Sequence, residues 1–509
     1  KEKRNVLYNN LKVSFCVCHW FQILRKFPFY DLRERIGFKV VIFGQMGIDQ
    51  RRWRWRWWNV VVLIGMVGVA VTVTGSDSHE KQEKVVSRIA FGSCSNQSAP
   101  QPIWDAVNDF HPQIFIWLGD NIYGDIKRPF RIFGRERTIG PWKNVPRFGP
   151  SSEQEMMARY KKAKSIPGYV RLQQNAEVIG TWDDHDYGLN DAGKEFHGKI
   201  TNQKLLLDFL DEPQDSPRRK QAGVYASYTY GPVGKNIKIV LLDSRYHRDP
   251  VGSDGTILGN SQWLWLEKEL KGPPTAVTII GSSIQVISNL SATIHPLFAM
   301  ESWGRFPKER DRLFKLLADS KRAGVFFISG DVHFGEISRY DCALDYPLYD
   351  VTSSGVTQSV EEVVPPFLRS SVRFVAWLTP STMRVKDQSC RYKSCVYGKP
   401  NFGTIEIDWD SHPVTVKFKV RDKNGVPVTG VNVSLTELQP SNSDTLDRVK
   451  AEHNSSKHCT LEVSLPLIVR YRLAILFSFT LVDFSNYIAA KESTIDTRTY
   501  TVHSQQKGA

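Results

Sequence analysis

Residues 113–123 read QIFIWLGDNIY. An unbroken apolar run ends at Leu118 and is followed by Gly119, a carboxylate at Asp120 and a phenol at Tyr123. A short continuous apolar run is what a strand shows when both faces of its sheet are covered. The pattern recurs along the chain. Val86–Phe91 is followed by Gly92-Ser93-Cys94-Ser95, Glu177–Trp182 by Asp183-Asp184-His185-Asp186, and Val325–Ser329 by Gly330-Asp331-Val332-His333. Ile237–Leu242 leads into Asp243-Ser244-Arg245, and Ala276–Ile280 into Gly281-Ser282-Ser283. In open α/β sheets ligands bind beyond the carboxyl ends of the strands. One Gly-Asp after a strand is an ordinary turn, but four of these six ends offer metal-binding atoms.

Between the strands lie amphipathic segments that predict helices over Pro102–Phe110, Glu153–Ile166, Gly198–Leu210, Gln262–Leu270 and Pro307–Ser320. Thr404–Trp409 and Val414–Val420 alternate in the manner of antiparallel strands and precede the turn Asp422-Lys423-Asn424-Gly425. The fold class is therefore α/β, with antiparallel strands added late. Lys127–Pro150 is expected to be a long basic loop, with seven Lys+Arg against one Glu. Placed directly after Tyr123, it reads either as an attractor of anionic substrate or as a solvated surface loop.

Carboxylates, a phenol, an imidazole and a thiol form a ligand set suited to a hard trivalent ion with oxygen-loving divalent ions beside it. Tyr123 lies one tight turn after Asp120, and Asp120 is a candidate bridge between two ions. Clustered metals serve to activate a nucleophile and to hold a phosphoryl group. Phosphate esters hydrolyse so slowly in water that such charge stabilisation has much to contribute.

As a set and in this order, the motifs at Phe91–Ser95, Leu118–Tyr123, Trp182–Asp186, Leu242–Tyr246 and Gly330–His333 resemble those of the PhoD-like (alkaline phosphatase D) metallophosphoesterases of the calcineurin-like superfamily. Glu301-Ser302-Trp303 and Pro307–Arg312 are similar to the plant and short eukaryotic branch. The resemblance implies a β-sandwich flanked by helices, with the metal site at the C-terminal ends of strands. It implies hydrolysis of phosphate esters, monoester or diester, by a metal-activated water or hydroxide. Ferric iron (Fe3+) is expected at Cys94, Asp120, Tyr123, Asp331 and His333. Calcium (Ca2+) is expected in the region of Asp120, Asp183, Asp184 and Asn190, with Zn2+ or Mn2+ as alternative metals. His185 is expected to donate the leaving-group proton or to order the site, and Arg245 to clamp phosphate. Each has a plainer reading: a surface salt bridge for His185, a closed loop for Asn190, a structural pair with Asp243 for Arg245, and a buried thiol for Cys94. The substrate is expected to be a phosphate-ester small molecule or a phospholipid. A silent phosphate- or lipid-headgroup-binding protein of the same fold is the alternative. A silent member would normally lose one of the iron ligands, and none is missing.

The ends of the chain bear on location. The net charge is +14, but residues 1–58 hold 13 Lys+Arg against 4 Asp+Glu, a balance of +9. A nucleic-acid protein would spread that excess over its fold, so no nucleic acid is expected beyond a phosphodiester substrate. Read from Met46, the basic run Arg51–Trp58, the apolar run Val60–Val73 and the small residues after it have the form of a secretory signal, cleaved or retained as an anchor. The expected organisation is a doubtful extension over 1–45, signal and linker over 46–84, a catalytic domain over 85–430, and a tail over 431–509 with a weak apolar segment. Membrane association through the terminal apolar segments and an extracellular, vacuolar or endomembrane location follow as expectations. Cys390 and Cys395 either bridge or remain two loop thiols, whereas Cys342 and Cys459 show no evident partner. Sequons at Asn96, Asn289, Asn432 and Asn454 are compatible with secretion.

Overall fold

Two sheets form because the apolar runs need cover on both faces. The computed structural model describes residues 79–81, 84–127, 131–132, 135–136, 147–288, 290–294, 300–440 and 457–480. The extension 1–45, the signal segment up to 78 and the side chains of the seven basic loop residues lie outside the described residues.

The first sheet runs β17 (Pro427–Ser434), β16 (Thr415–Asp422), β15 (Asn401–Asp408), β2 (Arg88–Gly92), β3 (Ile114–Leu118) and β8 (Glu177–Thr181). The second runs β1 (His79–Lys81), β9 (Ala226–Tyr230), β10 (Ile237–Leu241), β11 (Val277–Ser282), β12 (Val325–Ser329), β14 (Leu348–Ser353) and β13 (Gly335–Tyr340). β2, β3 and β8 are mutually parallel, as are β10, β11 and β12. Their carboxyl ends therefore share an edge within each sheet. The expected basic loop contains two short antiparallel ladders, β4 (Ile126–Lys127) with β7 (Arg147–Phe148) and β5 (Arg131–Ile132) with β6 (Arg135–Glu136).

The period of two decides which side chains meet which layer. Ile114, Ile116 and Leu118 enter the core between the sheets with Ile239, Phe326 and Phe418. Phe115 and Trp117 point the other way, against Trp104 on the helix Ile103–Asp109, at ring separations of 5.5 Å each. Truncating either aromatic to alanine would cost about 3–5 kcal/mol. The expected helix Glu153–Ile166 ends at Lys164, and a second one, Pro167–Asn175, starts with Pro167 in its first turn, the position where proline's missing N–H does no harm.

The expected domain end at 430 falls within a strand. β17 crosses that boundary, and the Gly324 N–H donates to the Leu438 carbonyl at 2.7 Å. Part of the expected tail is also folded onto the domain. Cys459 bridges Cys342, a pairing across 117 residues that the sequence does not announce. The Ser381 hydroxyl donates to Glu462, and Arg470 Nε donates to the Ala292 carbonyl. Cys390 and Cys395 are bridged to each other. No helix among the described residues is long and apolar enough to cross a membrane.

Candidate metal centre

Each strand end delivers its ligands through an abrupt turn. Cys94, Asp120, Asp331 and His333 all have left-handed backbone, with φ of 61°, 50°, 68° and 61°. For non-glycine residues this costs roughly 1–3 kcal/mol each and persists only where the surroundings fix it. Here the two loops of the first sheet bind each other: the Ser95 N–H donates to the Asp120 carbonyl at 2.8 Å, and the Cys94 N–H to Gly119 at 3.4 Å. Gly119, at φ +96°, must be glycine, because a Cβ there would lie 2.4 Å from Cβ of Asp183.

The turns bring the expected ligands together. Ligand atoms of Cys94, Asp120 and His333 lie within 4.8 Å of one another, as do those of Asp120, Asp184 and His185, and those of Asp183, Asp184 and Asp331. Asp120 belongs to two groups, as a bridging carboxylate must. Tyr123 joins the first through Oη, 3.0 Å from His333 Nε2. Asn190 sits half-buried nearby, and its backbone N–H donates to Asp125 at 2.8 Å. Asp183 Oδ2 and Asp184 Oδ1 are buried and find no hydrogen-bond partner among the described residues. A buried carboxylate oxygen left bare is costly. Paired with thiol, phenol and imidazole groups, these oxygens fit a cation cluster.

A further layer holds the ligands in place. The Asp186 carboxylate accepts the backbone N–H groups of Asp120, Asn121 and Asp183 at 3.3, 3.1 and 2.6 Å, tying the β3 and β8 turns together. Ser354 Oγ lies 3.0 Å from Cys94 Sγ and accepts the His333 N–H at 2.8 Å. His185 Nδ1 is 2.8 Å from Asp125, and its ring lies between Tyr123 and Phe148, at 4.2 and 4.9 Å.

Arg245 is fully buried, and its position departs from that of a side chain reaching out for phosphate. Its Nε donates to Asp183 Oδ1, which also accepts from Ser283 Oγ at 2.8 Å, and its Nη1 pairs with Glu301. Glu301 also takes Arg248, at 2.6 Å. The guanidinium thus occupies one oxygen of Asp183 and leaves the other bare.

The electrostatics follow from burying so many acids together. Burial pushes the Asp120 and Asp331 carboxyls well above their usual range, and neighbouring carboxylates add to it. Burial raises Asp183 to about 6 against the pull of Arg245. Burial also acts to raise Asp184, but His185 and Arg245 outweigh it and hold that carboxyl low. Cys94 and Tyr123 are pushed up by burial and by neighbouring acids or thiolate. Burial brings His333 down to about 4, so it is neutral, the form that ligates. For His185 burial opposes charge, yet Asp184, Asp120 and Asp125 prevail and hold it protonated.

Sequence reasoning quoted Asp186 within a motif without giving it a task, and it missed Asp125 and Ser354. Asp125 follows Tyr123 by two residues and had that as its signal; Ser354, which meets Cys94 across 260 residues, had none.

The profile of PhoD-like phosphatases matches residues 89–418. The chain is 23% identical to alkaline phosphatase D of Bacillus subtilis (strain 168) over 187 residues, 30% of this chain, and spans 30% of the length of that relative. Among solved structures it is similar to PhoD, with a TM-score of 0.48 at 14% identity over 74% of this chain and 78% of the other. It is also similar to GAP50, the anchor in the inner membrane complex of Plasmodium, with a TM-score of 0.41 at 12% identity over 73% and 95%.

Proposed function

This chain belongs to the PhoD-like phosphatase family, and from that premise we propose that it is a metal-dependent hydrolase of phosphate esters. The observation that carries the reading is the convergence of the clustered ligands at the strand ends, buried except for half-buried Asp331 and His333, with the bare oxygens Asp183 Oδ2 and Asp184 Oδ1 among them. Cys94, Asp120, Tyr123, Asp331 and His333 would hold iron, and Asp183 and Asp184, with Asp120 and Asn190, would hold calcium. Burial keeps the Cys94 thiol and the Tyr123 phenol protonated in the absence of a cation, so a highly charged ion suits them better than a weak one.

Bound metals would supply positive charge to polarise phosphoryl oxygens and acidify a water. The chain's own residues supply the rest. With Nδ1 held by Asp125, His185 has Nε2 left to donate a proton to the leaving oxygen. Arg245 orients Asp183, held in turn by Glu301. The two disulfides suit an oxidising compartment, which supports a secretory location.

The reading is tested by purifying the protein from a eukaryotic host, then measuring metal content and hydrolysis of a phosphomonoester and a phosphodiester on one sample. Turnover of either ester with bound iron and calcium supports it. Metal-loaded protein inert on both esters would favour the silent binding protein. A colourless, iron-free protein with full activity would replace iron by Zn2+ or Mn2+, since thiolate and phenolate on ferric iron absorb visible light.

A further inference from the structure

The helix Arg369–Leu378 is amphipathic yet buries none of its residues completely. Its inner face is half-buried, and Ala376 packs against the cluster of Val332, Phe334 and Val396, the first two of which flank His333. Its outer face is aromatic. Phe374 and Trp377 are 53% and 56% exposed with rings 5.9 Å apart, and Phe367, in the short turn Pro366–Leu368 that leads into the helix, is 72% exposed. Isolated exposed apolar residues are ordinary, but two adjacent large aromatic side chains, with a third exposed at the entry to the helix, form a patch that calls for a partner.

The charges beside it say which one. A cleft of 510 Å³ is lined by Arg373, Phe374, Trp377, Arg391, Tyr392 and Lys393. Arg373 pairs with Glu361 and Arg391 with Asp422, but these acids are 1% and 5% exposed whereas the arginines are 37% and 46% exposed. The carboxylates lie behind the guanidiniums, and the cleft shows cations to solvent, with exposed Lys393 as a third. Arg373 also lies over the Tyr392 ring at 4.6 Å. An aromatic face bordered by cations is the composition of a helix lying in a lipid interface.

A second segment repeats the combination. His458 Nδ1 bonds the Thr382 carbonyl at 3.0 Å just beyond the helix, and Thr382 bonds Thr460 in return. From there the chain reaches Leu467 and Ile468, 70% and 77% exposed, beside Arg470.

We propose that this face docks on an anionic phospholipid bilayer, with Phe367, Phe374 and Trp377 at the acyl boundary and the Arg373/Arg391/Lys393 cleft against headgroup phosphates. Docking is peripheral. It would hold the metal edge at the lipid surface, because the helix packs on the segment that carries His333. The inference does not rest on the hydrolase reading and stands or falls separately from it.

The test is flotation of the full chain with vesicles of phosphatidylcholine and phosphatidylserine, against vesicles of phosphatidylcholine alone. Wild type is expected to bind the anionic vesicles, less well as salt rises. Phe374→Ser/Trp377→Ser should weaken binding roughly tenfold or more, and Lys393→Glu several-fold. Circular dichroism and an unchanged melting temperature establish that the variants are folded. Binding of Phe374→Ser/Trp377→Ser equal to wild type, or no binding of wild type to anionic vesicles, would overturn the proposal. A wild-type dimer that the same substitutions convert to a monomer, without vesicle binding, would assign the face to a second copy instead.

Discussion

Replacing Arg245 by methionine separates two roles for this side chain. A guanidinium that clamps phosphate is dispensable for folding, whereas one that holds Asp183 and Glu301 is not. Both pairs are buried, with side-chain exposures of 0%/1% and 0%/10%. At an effective dielectric near 20, unit charges about 4 Å apart attract by about 4 kcal/mol. Two such attractions are lost in the variant, but the desolvation of the arginine is recovered, and breaking a buried pair typically costs about 3–5 kcal/mol net. For a urea dependence near 3 kcal/mol per molar, that lowers the unfolding midpoint by roughly 1–1.7 M. Arg245→Lys keeps a charge but not the planar fork and should fall between. The assay is equilibrium urea unfolding of chelator-treated protein, alongside steady-state kinetics and metal content of the loaded form. The expected result is lost stability with weakened metal retention. If Arg245→Met unfolds at the wild-type urea concentration and only KM rises, the positioning role is wrong and the clamp is restored.

Three further outcomes are expected. Removing the Cys342–Cys459 bridge by a double serine substitution should cost up to about 5 kcal/mol in the chain-entropy relation for a loop of 117 residues, read by urea unfolding; an unchanged midpoint would mean that the 457–470 segment is held without it. Gly119→Ala should destabilise by roughly 2–4 kcal/mol through positive φ and the clash with Asp183, and a variant of wild-type stability and metal content would contradict the account of the turn. Asp125→Asn should leave metal content intact while lowering kcat by roughly 10²-fold or more on esters with poor leaving groups; equal loss on good and poor leaving groups would remove His185 from proton donation.

The strand ends were legible because a strand covered on both faces cannot afford polar interruptions, so Ile114–Leu118 and Val325–Ser329 stand out as unbroken runs. The ligands were legible because each follows such a run within a few residues. What holds the ligands was less so. Asp186 reaches the backbone N–H groups of Asp120 and Asn121 from 65 or more positions away, and Glu301 reaches Arg245 from 56 positions away. No local pattern encodes such contacts. The helix Arg369–Leu378 was also missed, although it is amphipathic: it is only ten residues long and follows Pro365-Pro366, which read as a loop. The contacts beyond 430 were not legible either: the polar stretch Ser441–Ser456 reads as a linker, and a disulfide beyond it has no sequence signature.

The central claim, that the buried acids and their neighbours form a metal centre that hydrolyses phosphate esters, is met most directly by stripping and reloading one sample. Strong chelation should abolish ester hydrolysis, and iron and calcium added together should restore it, with Asp331→Asn failing to recover under the same loading. Full hydrolysis by exhaustively metal-free protein would contradict the claim.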